Sequence, residues 1–192
     1  MPEVSETISA IAMGIALSAC CGFRIFIPLL AASLAGYFQW ISLPDTVSWM
    51  GSLTSVICFV TAALLEIAAY YIPFVDNLSD LIATPLAAGA GTLVAYSILP
   101  GQENNELLQW ILAMVAGGVS AGTIQSGTGL LRLASTKFTA GTGNALVATG
   151  ENAAAIGGVA LSFMIPVLMV IFVVLLIIWI LRKLFIGKAK KE

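Results

Sequence analysis

The sequence predicts an all-α integral membrane protein, folded as one compact bundle of about six transmembrane helices. Hydrophobic residues make up 59% of its 192 residues and charged residues only 9%, whereas a soluble domain carries roughly 25% charged residues. The mean hydropathy is +1.02. Several apolar runs reach about 20 residues, the length that crosses a bilayer as a helix. A chain of this length holds five or six such spans, which leaves no room for a soluble domain.

Six apolar segments define the predicted spans within this single polytopic domain. They lie near 8–38, 52–73, 81–99, 107–125, 144–161 and 162–182. Two connections are notable: a predicted tight turn, FVDNLSD, in which Asp76 caps the next helix, and a long polar connection over 126–144. The last two segments have no polar loop between them. An alternative therefore stays open, with five spans and 144–182 as one long crossing plus a re-entrant piece.

The distribution of basic residues predicts the orientation. Five of the eight lysines and arginines lie in the last eleven positions. Cytoplasmic segments of membrane proteins carry an excess of lysine and arginine. We therefore expect residues 183–192 to form a basic cytoplasmic tail, both termini to lie inside, and the protein to reside in a bacterial inner membrane as a multi-pass protein.

The first apolar segment is too long for a straight span and contains a charge. Its 31 residues would form a helix of about 46 Å, against a hydrocarbon core of about 30 Å. The segment must tilt, break, or dip in and return, and Gly22 and Pro28 supply break points. Pro28 cannot donate a hydrogen bond to the carbonyl of Arg24. An arginine at membrane depth usually marks a function, so Arg24 is a candidate counter-charge or anion contact.

Further polar residues are predicted near the inner face. Glu66 precedes Pro73 by seven residues and Glu151 follows Asn144 by seven, so both carboxylates should lie about 10 Å from that face. A re-entrant first segment would bring Arg24 closer to them. The candidate ion- or solute-binding residues are Arg24, Glu66, Tyr70, Asp76, Asn77, Asp80, Arg132, Glu151 and Asn152.

Each candidate also has a purely structural interpretation. Glu66 could form an ion pair that holds the bundle together, or could hydrogen-bond a neighbouring helix in its protonated form. Asp76 and Asp80 could be helix caps or interface charges. Histidine is absent and the three cysteines lie in apolar runs. We therefore expect no metal site, no disulfide, no cofactor, no catalytic residue of a known class and no nucleic-acid partner.

The two halves of the chain are loosely alike. Gly14, Ser18 and Gly22 form a stripe of small residues near the start, as Gly118 and Gly122 do in the second half. Three spans per half would make the halves an inverted repeat, which is a common transporter plan. Small-residue stripes also serve simple close packing of helices.

Three stretches of the sequence resemble a known family. GIALSACCGFRIFIPLL, LEIAAYYIPFVDNLSDLIATPLAAGAGTL and ALVATGEN are similar to an uncharacterised bacterial membrane family, catalogued as domain of unknown function four-one-two-six. The similarity covers about residues 8–182. It implies a multi-span inner-membrane protein and implies no activity and no site residue.

The favoured function is a small membrane transporter or channel for an ion or small solute that uses buried carboxylates. One alternative is an intramembrane enzyme acting on a lipid phosphate through arginines, Ser126, Thr128 and a glutamate base. The other is a non-catalytic membrane scaffold whose charges are structural. An enzyme is the less favoured class, because no recognisable catalytic motif is present. The expected partners are the lipid bilayer, a small ion or solute, and a second copy in a homodimer.

Overall fold

The computed structural model describes the backbone of residues 4–100, 105–139 and 141–189, and their side chains except in 73–81 and 184–189. Within those ranges every regular element is helical, so the all-α prediction is confirmed. The elements are α1 (Val4–Cys20), α2 (Phe26–Tyr37), a 3₁₀ helix (Asp45–Gly51), α3 (Leu53–Ala69), α4 (Pro73–Ile98), α5 (Glu106–Ala113), a π-helical turn (Met114–Gly118), α6 (Val119–Thr139), α7 (Asn144–Met164) and α8 (Pro166–Ala189).

Several helices have the length and composition of membrane spans. Within the described residues, three pass this test: Glu106–Thr139, Asn144–Met164 and Pro166–Lys183. The 3₁₀ helix and α3 meet at an angle of 66° and add a fourth if the bent pair is one span. Only 17% of the most apolar stretch of α8 is buried within the protein. This helix presents apolar side chains outward, as lipid-facing helices do.

The long first segment is broken into α1 and α2, which are joined by residues 21–25. Helix α2 has 12 residues and measures about 18 Å, too short to cross a core of about 30 Å. The chain passes close to α6 at this break. A Cβ atom on Gly22 would lie 2.5 Å from the carbonyl oxygen of Ala121, so only glycine fits there.

Helix α2 returns to the end of the bundle from which α1 comes. Gly14 of α1 lies against Leu99, just past the end of α4. Ser33, near the end of α2, donates a hydrogen bond of 2.6 Å to a main-chain carbonyl of the 3₁₀ helix. Tyr96, near the end of α4, donates one of 3.3 Å to Thr46 in the same 3₁₀ helix. Because α1 and α2 both reach this end, the chain reverses direction at residues 21–25. We call these two helices the re-entrant pair and residues 21–25 its apex.

The predicted turn over residues 74–80 is wrong. Helix α4 begins at Pro73, after Ile72 at the N-cap position, and runs without interruption to Ile98. Proline is favoured at the first helical position because its missing N–H has no partner there in any helix. Asp76 therefore lies inside α4 and is not its N-cap.

The predicted polar connection over 126–144 is also wrong for most of its length. Helix α6 continues to Thr139, and only a short turn that includes Gly141, at φ +90°, separates it from α7. Hydroxyl groups bond to carbonyls of their own helix: Ser126 at 2.7 Å and Thr128 at 3.1 Å. These bonds satisfy the polar groups without breaking the helix.

Helices α7 and α8 form a hairpin whose turn lies at Ile165. Ala153 of α7 and Leu176 of α8 line the same groove, although 22 positions separate them in the chain. A Cβ atom on Gly158 would lie 3.2 Å from Met169, on the other side of the turn. Residues 144–182 therefore form two helices that pack against each other, and the choice between two crossings and one crossing plus a re-entrant piece stays a prediction.

Candidate functional site

Arg24 lies at the apex of the re-entrant pair and is only 1% exposed. Its guanidinium donates from Nη1 to Glu151 Oε2 at 2.7 Å, from Nε to Asn152 Oδ1 at 2.5 Å, and from Nη2 to the carbonyl of Ala148 at 3.1 Å. All three acceptors lie in the first half of α7. The Arg24 side chain therefore ties the apex to α7.

Arg132 of α6 binds the same carboxylate from another direction. Its Nε donates to Glu151 Oε1 at 3.1 Å, and its Nη2 forms an ion pair with Oε2. Arg132 is 2% exposed and Glu151 is 4% exposed. Buried charges are tolerated when they are paired and hydrogen-bonded. Glu151 thus joins the apex, α6 and α7 through two charge-assisted contacts.

The ring of Tyr70 packs against both guanidinium groups. The Cζ atoms of Arg24 and Arg132 each lie 4.0 Å from the ring centroid. Cations are attracted to aromatic faces, so the ring stabilises both buried charges. Tyr70 follows the last residue of α3, so α3 joins the charge cluster through its C-terminal end.

Glu66 lies one turn before Tyr70 and contacts the other side of the apex. Its Oε1 accepts a hydrogen bond from the amide of Ile25 at 2.8 Å, and its Oε2 accepts one from the amide of Phe26 at 3.0 Å. These amides begin α2, where Ile25 at the N-cap supplies no side-chain bond. The first amides of any helix lack intrahelical partners and attract negative charge. A carboxylate from α3 therefore caps α2.

A groove of about 380 Å³ opens beside this carboxylate, between α2, α3 and α4. Ile25, Phe26, Glu66 and Tyr70 line its head, and alanine, leucine and isoleucine side chains line the rest. We call it the Glu66 groove. Glu66 is partly exposed, in contrast to the buried Glu151. One carboxylate thus faces an open space and the other is enclosed.

The structure brings together five of the nine predicted site residues in one charge cluster: Arg24, Tyr70, Arg132, Glu151 and Asn152. Glu66 lies on the opposite side of the apex and bonds to its backbone, not to an arginine. Asp76, Asn77 and Asp80 are in α4, and their side chains lie outside the described residues. In the part of the chain that is described, no group of three or more carboxylate or cysteine side chains could hold a metal ion.

The sequence interpretation missed a short polar chain at the edge of the cluster. Asn152 Nδ2 donates to the hydroxyl of Tyr71 at 3.4 Å, and this hydroxyl bonds to Thr149 Oγ1 at 3.0 Å. Tyr71 is 46% exposed, so this series of hydrogen bonds runs from Arg24 towards the surface. The only sequence signal is the adjacent pair of tyrosines. The amides of Ile25 and Phe26 were not predicted either. Nearly every residue carries a main-chain amide, so residue type gives no sign of this role.

The profile of one family, described as domain of unknown function (DUF4126), matches residues 11–185 of the chain. Comparison with curated proteins gives no significant match, and neither does comparison with solved structures. The matched range includes both carboxylates, both arginines and the whole re-entrant pair apart from the first turns of α1. The chain therefore belongs to the family of domain of unknown function DUF4126.

Proposed function

We propose that the protein is a small membrane transporter or channel for an ion or small solute, in which Glu66 is the carboxylate that changes its partners. One observation carries this proposal: the Glu66 carboxylate both caps the broken helix and faces an open groove. Helices broken at membrane depth are tolerated where they line a cavity. In many transporters such breaks form the binding site.

The two carboxylates have different roles in this proposal. Glu151 is 4% exposed and engages both arginines, and breaking a buried ion pair costs about 3–5 kcal/mol. Glu151 and its partners therefore form a fixed anchor. Glu66 accepts two main-chain hydrogen bonds, which a proton or a bound cation would weaken by reducing the negative charge. Loss of this cap frees the start of α2 and changes access to the groove.

The topology that fits this mechanism has five crossings and one re-entrant pair. The crossings are α3, α4, the unit formed by α5, the π-helical turn and α6, then α7 and α8. This differs from the six-span count because α1 and α2 return to one side. The N-terminus would then lie opposite the basic tail, which we propose is cytoplasmic, in a bacterial inner membrane. The inverted repeat and the homodimer stay predictions.

Transport is tested with purified protein in liposomes that enclose a pH dye, under imposed gradients of ions and small solutes. We expect wild-type protein to give a flux and Glu66→Gln to abolish it. The matched control is Glu106→Gln, which neutralises an exposed carboxylate at the start of α5 and should retain the flux. Full flux through Glu66→Gln would reject the mechanism.

The scaffold function is the second candidate, because the hydrogen bonds of Arg24 and Glu151 join separate helices of the bundle, as charges with a structural role do. Replacing all three charged residues of the cluster, Arg24, Arg132 and Glu151, with apolar side chains of similar volume separates the two functions. A scaffold would keep its activity in cells, since such replacements of buried ion pairs are often neutral for stability. A transporter that depends on the anchored apex would lose its flux.

A further inference from the structure

We propose that the Glu66 groove binds a small hydrophobic molecule that carries one protonated amine. This inference names the ligand class of the site, and its meaning as a substrate rests on the proposed transport function. Binding itself does not depend on transport, so each can be tested alone.

The walls of the groove are apolar, which selects a hydrophobic ligand body. Ala62, Leu65, Ile82 and Leu86 line it away from the head. Its volume of about 380 Å³ lies in the range of about 300–1,000 Å³ that holds small-molecule ligands. Leu86 is 49% exposed and Ile82 is 54% exposed, so the groove opens outward from the bundle. The open side of the groove is therefore the entry route for a ligand dissolved in the lipid.

The carboxylate at the head selects a cationic group. Each oxygen of Glu66 accepts one amide hydrogen bond, and a carboxylate offers about four lone-pair positions. Acceptor capacity therefore remains on both oxygens. A charge that faces an apolar space at membrane depth costs a few kcal/mol. A protonated amine beside the carboxylate offsets this cost and supplies the missing donors.

The neighbouring groups do not compete for this cation or favour an anion. The amides at the start of α2, which would attract an anion, are bound to Glu66. The guanidinium of Arg24 is bound to Glu151, Asn152 and a main-chain carbonyl of α7. The Tyr70 ring already packs against both arginines. Among the described residues that line the groove, Glu66 is thus the charged group that a ligand would contact.

The test uses octylamine, octanol and octanoate, which share one chain length and differ in the charge of the head group. Octylamine is a cation at neutral pH, as the lysine amine is. Thermal unfolding of the full-length protein in detergent is followed while each compound is added. A ligand that binds the folded state raises the midpoint in a saturable manner. We expect the shift with octylamine to exceed the shifts with octanol and octanoate, which report general effects on the micelle.

Two variants locate the effect in the groove. Glu66→Gln removes the charge, and Leu86→Trp fills the groove while it leaves the carboxylate in place. Each should abolish the extra shift with octylamine. Glu106→Gln, which neutralises a distant exposed carboxylate, should keep it. Because Leu86→Trp retains Glu66, the test survives if Glu66→Gln proves too unstable to study.

Three results would overturn the inference: equal shifts with octylamine and octanol, a larger shift with octanoate, or an octylamine shift that persists in Leu86→Trp. The last would place the amine elsewhere on the protein or in the micelle. Octylamine binding without flux in liposomes would support the inference and reject transport. Flux without octylamine binding would support transport and reject the inference about the ligand.

Discussion

Glu151 is the residue on which the buried charge cluster depends. Its carboxylate contacts two arginines that are 1% and 2% exposed, and both arginines pack against the Tyr70 ring. Desolvation of three charges is costly, and only their close pairing offsets it. Removal of any one of these three charges therefore destabilises the cluster. Glu66 is bound to main-chain amides, so removal of its charge leaves both arginines paired with Glu151.

We predict that Glu151→Gln lowers the free energy of unfolding by about 3–5 kcal/mol, because it leaves two buried guanidinium groups without their anion. Glu106→Gln, at an exposed carboxylate, should change it by less than about 0.5 kcal/mol. Chemical unfolding in detergent micelles measures both. A cost for Glu151→Gln no larger than that of Glu106→Gln would show that the cluster does not stabilise the fold.

The sequence indicated which charged residues lie within apolar segments, but not which of them pair with each other. Rare charges in apolar runs pointed to Arg24, Glu66 and Glu151, because the bilayer makes such charges costly. Pairing depends on the bend at the apex, and no helical periodicity specifies that bend. The two hydrogen bonds from main-chain amides to Glu66 could not be predicted either, because they also depend on this bend.

Glycines set the distance between α4 and the π-helical turn, where the two backbones lie close together. Gly91 of α4 faces the π-helical turn, and a Cβ atom there would lie 2.7 Å from both Ala121 Cβ and the carbonyl of Gly117. Gly89, two residues earlier on the same helix, has no such neighbour within 4 Å. Composition alone treats these glycines alike. The predicted turn at 74–80 and the connection at 126–144 were wrong because polar composition was interpreted as a break.

We predict that Gly91→Ala destabilises the protein by about 1–3 kcal/mol, the usual cost of overpacking a tight contact. Gly89→Ala should instead be neutral or stabilise it by up to about 1 kcal/mol, since alanine is the better helix former. Thermal unfolding of the two variants in the same detergent makes the comparison. The opposite order would contradict the close contact between α4 and the π-helical turn.

The whole molecule is a bundle of apolar helices in which the first long segment breaks and reverses direction. Composition was sufficient to predict the class, because 9% charged residues cannot cover a soluble surface. The segment length predicted that residues 8–38 could not be one straight span. The choice between tilting, breaking and returning needed tertiary contacts, above all those of Gly14 and Ser33 at the same end of the bundle.

The proposed topology predicts opposite locations for the two termini. In a Cys58→Ser background, Ser5→Cys and a cysteine added after Glu192 are labelled with a membrane-impermeant maleimide in intact, then permeabilised, cells. Cys20 and Cys21 are buried and should stay silent. We expect Ser5→Cys to react from outside and the C-terminal cysteine to react only after permeabilisation. Protection of both positions in intact cells would restore the six-span topology.

Glu66 holds the apex of the re-entrant pair through the amides of Ile25 and Phe26. Hydrogen–deuterium exchange of wild-type protein and Glu66→Gln, at one pH and in one detergent, tests this contact. A glutamine oxygen can accept from one amide, and its NH₂ group cannot accept from the other. We predict several-fold faster exchange in peptides that contain residues 25 and 26, with residues 148–152 unchanged. Identical exchange at the apex in the two proteins would contradict the account.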